Sequence, residues 1–485
     1  MKRQLALLIL AIVLTGCEKT PQPETTPQST DSHLSIVQNL SRDELARRTI
    51  ERRAVEAAIW GMPIVAMDAV HHGFLRDMQA NDNDVVYYSN LPDWKFQTTT
   101  PNASTHYIYS AFNLKKDGPV VLEVPAAVGA GLYGQLCDMW DVPLAIVGPG
   151  GEDKGKGGKY LFVFAGYDGK VPAGYFPIRI QTIDGFWLMR TIPKSDSPED
   201  QASAVALLKK IRQYPLSKAV KPPEQRFIDA SGTLWNGIPD MDESFYSVLA
   251  RKVSEEPVLA RDLAMMNILR SIGIEKGKDF RPDAHTTAVL KKSISEAKTW
   301  LIDRLESQLK PYWDGLHWCL PDASGVKTMF SYESPEILDY DDRGMLNFYG
   351  WAPPMKADAS APTIYLQSFH DSNNNLLSGD HTYRLHVPPN APAKQYWSAT
   401  VYDYDTAGFI REAPVISLDS FNQKTKKNAD GSADIYFAPQ APQGQENNWV
   451  TTAKAKKWFA IFRLYGPEKP FFDKTWKLPD FEVVK

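Results

Sequence analysis

Cysteine is scarce: Cys17, Cys137 and Cys319 are the only three in 485 residues. That is no disulfide framework, so folding must rest on buried apolar surface. Positive charge is not in excess either. Lys and Arg number 54 against 58 Asp and Glu, a net charge of −4, which excludes the basic footprint of a nucleic-acid binder. After the N-terminal apolar run no second stretch of about 18 apolar residues follows, so no further segment is expected to span a bilayer. Familiar chemical signatures are missing as well. There is no H-E-x-x-H, and no G-x-S-x-G elbow around Ser231-Gly232 or Ser324-Gly325. His71 and His72 are adjacent and would point about 100° apart on a helix. His381 and His386 would lie on opposite faces of a strand. No metal is therefore expected, and only a cluster assembled across domains, from His106, His370 and others, is left open. Asp153–Lys159 is rich in Gly and Lys, but it leads into the strand-like Tyr160-Leu161-Phe162-Val163-Phe164 instead of a helix, which argues against a phosphate loop. Asp371–Asn375 begins like a calcium loop, yet Leu376 and Thr382 stand where Gly and Glu are needed. It reads as a polar turn. No cofactor is expected.

What is present begins with an address. Lys2 and Arg3 precede an apolar run from Leu5 to Leu14, and Leu14-Thr15-Gly16-Cys17 closes it. A basic start, an apolar centre and small residues before a cleavage point make a secretory signal. The final four residues resemble the bacterial lipobox, in which Cys17 becomes the lipid-bearing first residue. Residues 1–16 are thus expected as signal peptide, and 17–40 as lipidated cysteine and flexible tether. Glu18–His33 (EKTPQPETTPQSTDSH) offers no apolar side chain to bury. As a coil of about 16 residues it would reach about 20–25 Å. Glu18 occupies the position where Asp would signal inner-membrane retention, so an envelope protein of the outer membrane facing the periplasm is expected. Loss of Lys2 and Arg3 would leave 52 basic against 58 acidic side chains. Cys137 and Cys319 are read as two separate buried thiols, with a bridge between them left open.

The body divides by texture. Residues 41–84 read as helical: Ser41-Arg42-Asp43-Glu44 fits a capping box, helix follows to Trp60, and Pro63 should interrupt it before a second piece from Ile64 to Met78. Residues 85–195 form a first β-domain, with Val120–Val124, Leu132–Trp140, Tyr160–Ala165 and Ile178–Thr182 its clearest runs. Residues 196–350 read as a helical connector, with Ser197-Pro198 as cap and first turn and an apolar stripe of Ile294, Ala297, Leu301 and Leu305. Residues 351–485 return to β texture, notably Tyr383–Val387, Tyr396–Tyr404 and Trp458–Tyr465. The expected fold is mainly β with α: two antiparallel sandwiches of jelly-roll type, burying alternate residues between their sheets.

Several of these stretches carry a resemblance. Gly118-Pro119-Val120-Val121-Leu122-Glu123-Val124-Pro125, Gly131-Leu132-Tyr133-Gly134 and Gly155-Lys156-Gly157-Gly158-Lys159-Tyr160 resemble the domain of unknown function numbered twelve-fifty-four. Tyr383-Arg384-Leu385, Trp397-Ser398 with Thr400-Val401-Tyr402-Asp403, Asp430-Gly431-Ser432, and Arg463 with Tyr465-Gly466-Pro467 resemble its companion, numbered twelve-fourteen. The resemblance implies paired jelly-roll-like domains. It implies no reaction and no catalytic residues.

Two stretches combine polar and aromatic groups as a ligand cleft would. In the first, Asn102 and Tyr107 precede Asp138 and Trp140, which would share a face if the strand ran through Trp140. In the second, Trp397, Asp403 and Asp405 would share one face of a strand and Tyr402 and Tyr404 the other. Carboxylates two apart on a strand lie about 7 Å from each other, in the range of paired acid and base groups. These acids also fit a solvated strand end, and the large aromatics fit core packing. The candidate bases are Asp138 and Asp403, with Asn102, Tyr107, Trp140, Tyr402 and Arg463 positioning the ligand. The reading taken forward is an enzyme acting on a small polar organic molecule. The alternative is a non-catalytic envelope protein that binds a glycan, a lipid or a protein partner. A membrane contact through the lipid is expected, nucleic acid is not, and a homo-oligomer is left open.

Overall fold

The computed structural model describes residues 40–320, 332–350 and 363–484. Residues 1–39, which hold the expected signal peptide, Cys17 and all but the last residue of the expected tether, lie outside the described residues. Residues Met1–Arg47 and Arg48–Lys485 separate as two compact units. In the first, Ser41 Oγ accepts from the Glu44 N–H at 3.1 Å, the bond expected of a capping box.

The helix that starts there runs from Arg42 to His72, straight through Pro63. The expected break does not occur. Pro63 has no N–H to give the carbonyl of Ile59, and its ring crowds that carbonyl. Packing holds the segment helical nevertheless: every residue from Ala57 to Asp68 is buried. A five-residue π-helical turn, Gly73–Asp77, follows.

The first sandwich pairs a six-stranded sheet with a four-stranded one. The larger runs Phe227–Asp229, Val85–Tyr87, His106–Asn113, Asp184–Ile192, Gly131–Asp138, Pro143–Val147. The smaller runs Arg212–Pro215, Val120–Val124, Gly158–Phe164, Tyr175–Ile180. Ile108, Phe112, Leu122, Leu136, Phe162 and Trp187 fill the space between them. Two of these strands, Arg212–Pro215 and Phe227–Asp229, come from the stretch expected to be a helical connector. Each supplies backbone partners to a sheet edge that would otherwise be open. The Gly/Lys loop is a turn in which the Asp153 carboxylate accepts from the N–H groups of Gly148 and Gly157.

The second sandwich repeats the layout. Its larger sheet runs Lys310–Pro311, Cys319–Leu320, Thr363–Ser368, Trp458–Pro467, Ala393–Asp403, Ser417–Asp419, and its smaller one Trp449–Thr451, Ala433–Ala438, Tyr383–Val387, Glu482–Val483. Alternate residues of Trp458–Pro467 lie between these sheets, where Trp458 stacks on Phe437 and Phe462 on Trp476. The other set is buried too, from Phe459 to Tyr465. The reason is that the far face of the large sheet is also covered, by the helix Tyr340–Tyr349 at Phe459 and by the first sandwich at Tyr465. Most strand pairs are antiparallel, with parallel neighbours at four places. The helices Ser244–Glu255, Leu263–Arg270 and Ala284–Gln308 occupy the chain between the sandwiches. Cys137 and Cys319 are free and buried. Among the described residues no helix is long and apolar enough to cross a membrane.

Candidate functional site

The two large sheets meet face to face, and most of the polar residues singled out in the sequence collect at that seam. On the second sandwich, Tyr365 stands opposite Arg463 in the ladder between adjacent strands, and Ser398 opposite Arg463 on the other side. Residues opposite each other in a ladder share a face. That face also carries Tyr396, Thr400, Tyr402 and Tyr465. On the first sandwich, Arg190 stands opposite Tyr107.

The loop before His106–Asn113 joins the two. Asn102 does what only a short amide can do there: its Oδ1 accepts from the Ser104 N–H at 2.7 Å, an Asx turn, while its Nδ2 donates across the seam to the Tyr465 hydroxyl. Its own backbone N–H donates to the Tyr107 hydroxyl at 2.9 Å. The Tyr402 hydroxyl donates to the Pro101 carbonyl at 2.5 Å.

Arg463 is the floor of the seam, 1% exposed. It donates to Thr400 Oγ1 at 3.2 Å and to the carbonyls of Thr100 and Pro101 at 3.1 and 3.5 Å, and its Nε has no partner. Its guanidinium lies 4.8 Å from the Tyr365 ring centre and 5.6 Å from that of Tyr402, within cation–π range. Arg190 and Tyr365 are only partly buried, and Arg190 Nη1 donates to the Tyr365 hydroxyl at 3.2 Å. Among the described residues neither arginine has a carboxylate within ion-pair distance. Burial by itself raises a phenol's pKa, and it holds Tyr107, Tyr402 and Tyr465 above the ordinary value. Tyr365 goes the other way. Burial pushes it up, but the charges of Arg190 and Arg463 and their hydrogen bonds outweigh burial and bring it below the ordinary value.

Asn102, Tyr107, Tyr402 and Arg463 therefore come together in one cluster at the seam. Arg190 and Tyr365 complete it, and no sequence signal marked them. A single Arg or Tyr in a β run carries no sign of which sheet it will face.

The remaining candidates lie elsewhere. The strand ends at Asp138, so Asp138 and Trp140 do not share a strand face. Asp138 Oδ1 instead accepts from the N–H groups of Trp140 and Val142 at 2.8 and 3.0 Å and closes a turn. Trp140 packs 4.7 Å from Trp60 and 4.9 Å from the Arg343 guanidinium. Burial raises the Asp138 carboxyl, against hydrogen bonds from the turn and the charges of Arg261 and Arg343. Asp403 and Asp405 are not a pair. Asp403 is 8% exposed and accepts from the Asp405 N–H, while the Asp405 side chain is 71% exposed. The strand ends at Asp403, so the chain turns before the second acid. Asp403 also follows Tyr402 by one residue and so takes the opposite sheet face, away from the seam. His106 is held by the Tyr88 carbonyl and Gln201, and His370 lies beside His317. Among the described residues no three His, Cys, Asp or Glu side chains are gathered as metal ligands.

Comparison with solved structures places the fold beside the VPA0106 protein of Vibrio parahaemolyticus, at 18% identity and a TM-score of 0.52, covering 90% of this chain and 100% of that one. An uncharacterised protein from Burkholderia cenocepacia aligns over 90% of this chain and 95% of its own, at 12% identity and a TM-score of 0.41. No curated protein matches the chain. The family models agree with the layout of two halves: residues 83–215 match the protein of unknown function DUF1254, and residues 362–469 match the protein of unknown function DUF1214.

Proposed function

We propose that this is a lipid-anchored protein of the bacterial envelope whose two sandwiches hold a small polar organic molecule in the seam between their large sheets. The anchor rests on the N-terminal sequence, where Leu14-Thr15-Gly16-Cys17 follows a basic start and an apolar run. The ligand site rests on one observation: Arg190 and Tyr365, from opposite sandwiches, meet over the buried Arg463. An enzyme is the reading carried forward. Tyr365, whose phenol the charges of Arg190 and Arg463 bring below its ordinary value, is the seam residue best placed to exchange a proton. In the alternative, the same residues bind and release a molecule unchanged.

Two measurements test this. Cys17→Ala should move the protein from the membrane pellet to the soluble fraction, and retention after a carbonate wash defeats the anchor. Native mass spectrometry of the full chain should show a co-purified small molecule that is lost from Tyr402→Phe and Arg190→Met. A bound mass kept by both variants would place the ligand outside the seam. Conversion of that molecule on incubation separates the enzyme from the binder.

A further inference from the structure

We infer that the seam takes the anionic end of its ligand, a carboxylate, between Arg190 and Arg463 with the Tyr365 hydroxyl beside them. This rests on the seam being the ligand site.

The first argument is charge. Taking a guanidinium out of water costs several kcal/mol unless an opposite charge and hydrogen bonds replace the lost hydration. Arg463 has two carbonyls, one hydroxyl and two ring faces, which are dipoles and quadrupoles but carry no net charge. Arg190 has a phenol. At neutral pH most phenols are uncharged, so among the described residues neither guanidinium has an anion within ion-pair distance; the partly buried Asp419 carboxylate at the seam accepts instead from the Ser104 hydroxyl at 2.9 Å.

The second argument is a count of donors. Arg463 Nε is buried and unpaired. The Tyr365 oxygen accepts from Arg190, and the Tyr107 oxygen accepts from the Asn102 N–H, so neither phenol's proton is used in those bonds. Guanidinium groups can only donate. A site with donors in surplus is completed by a group that only accepts, and an ionised carboxylate is such a group. Its planar pair of oxygens also matches a guanidinium fork.

The walls decide between oxyanions. Tyr107, Tyr402 and Tyr465 present aromatic surface to the seam, and a doubly charged phosphate loses far more hydration there than a singly charged carboxylate. Arg190 and Tyr365 are partly exposed, whereas Arg463 is buried. The lowered phenol of Tyr365 is the response of an acidic group placed in that field, and a bound carboxylic acid would be held ionised for the same reason.

The test is calorimetric titration of the full chain with acetate and benzoate, each beside its uncharged isostere, acetamide or benzamide. At least one carboxylate should bind at millimolar concentration or below, its amide should not, and Arg190→Met should weaken it at least tenfold. Arg190 is partly exposed, so this variant should fold; Arg190→Lys, which keeps the charge, should recover part of the affinity. The inference is overturned if neither carboxylate binds, if the amides bind equally, or if Arg190→Met binds as tightly as wild type. Inorganic phosphate binding more tightly than either carboxylate would also overturn it. If a neutral co-purified molecule is displaced in Tyr402→Phe while the carboxylates fail, only the anion is lost and the seam remains the site.

Discussion

Gly344 packs against the backbone carbonyl of Ile59, the acceptor that Pro63 cannot reach with an N–H. A Cβ on Gly344 would lie 2.3 Å from the Ile59 oxygen. The next residue back, Arg343, directs Nη2 toward the Trp60 carbonyl at 3.5 Å. The helix Tyr340–Tyr349 therefore packs directly against the helical turn that carries Pro63 and holds it in place by tertiary contact. Gly344→Ala should destabilise the protein by about 1–3 kcal/mol, since the obstructing atom belongs to a buried backbone that cannot move aside. Urea denaturation should show a lower midpoint with an unchanged slope. A midpoint equal to wild type would mean that the two helices separate at little cost.

Tyr365 should be the first tyrosine of the seam to ionise. Alkaline titration followed by tyrosinate absorbance should show a component below the ordinary phenol range, absent from Tyr365→Phe and moved upward in Arg190→Met. If Tyr365→Phe leaves the lowest component in place, the positive field of the seam is weaker than its geometry implies.

Lys252 is buried to 2% of its side chain beside Asp184, Glu255 and Glu256. Burial raises the Glu256 carboxyl to about 7, with Lys252 opposing and Asp184 reinforcing the rise. A carboxyl whose folded pKa lies above its unfolded value contributes stability that is complete below the unfolded pKa, about 4.5, and is lost as pH rises through about 7. Glu256→Gln should flatten that part of the stability–pH curve in chemical denaturation. Lys252→Met, which strands the carboxylates without their cation, should cost about 3–5 kcal/mol. A steeper pH dependence in Glu256→Gln would reverse the sign.

Asp138 acts in this fold through its turn. Asp138→Ala removes the acceptor for one buried and one partly buried N–H group and should cost about 1–3 kcal/mol, whereas Asp138→Asn keeps an acceptor oxygen and should lose less. Neither change should weaken binding of a seam ligand. Loss of ligand in Asp138→Asn with unchanged thermal stability would return Asp138 to the binding machinery.

Much of the fold could be read along the chain. Capping at Ser41 and Ser197 is a matter of neighbours three residues apart, and both caps are present. The alternation of Tyr383–Val387 and the apolar stripe of Ile294, Ala297, Leu301 and Leu305 are local periodicities, and both elements form.

What the chain could not disclose is which surfaces meet. Pro63 reads as a helix breaker until Gly344, nearly three hundred residues on, packs against the carbonyl it leaves bare. Tyr402 and Asp403 sit side by side in sequence, yet strand geometry sends one into the seam and the other away from it. Arg190 and Tyr365 look ordinary in their strands. They come together because two separately built sheets turn those faces toward each other, and the pairing of faces depends on long-range packing that no local pattern encodes.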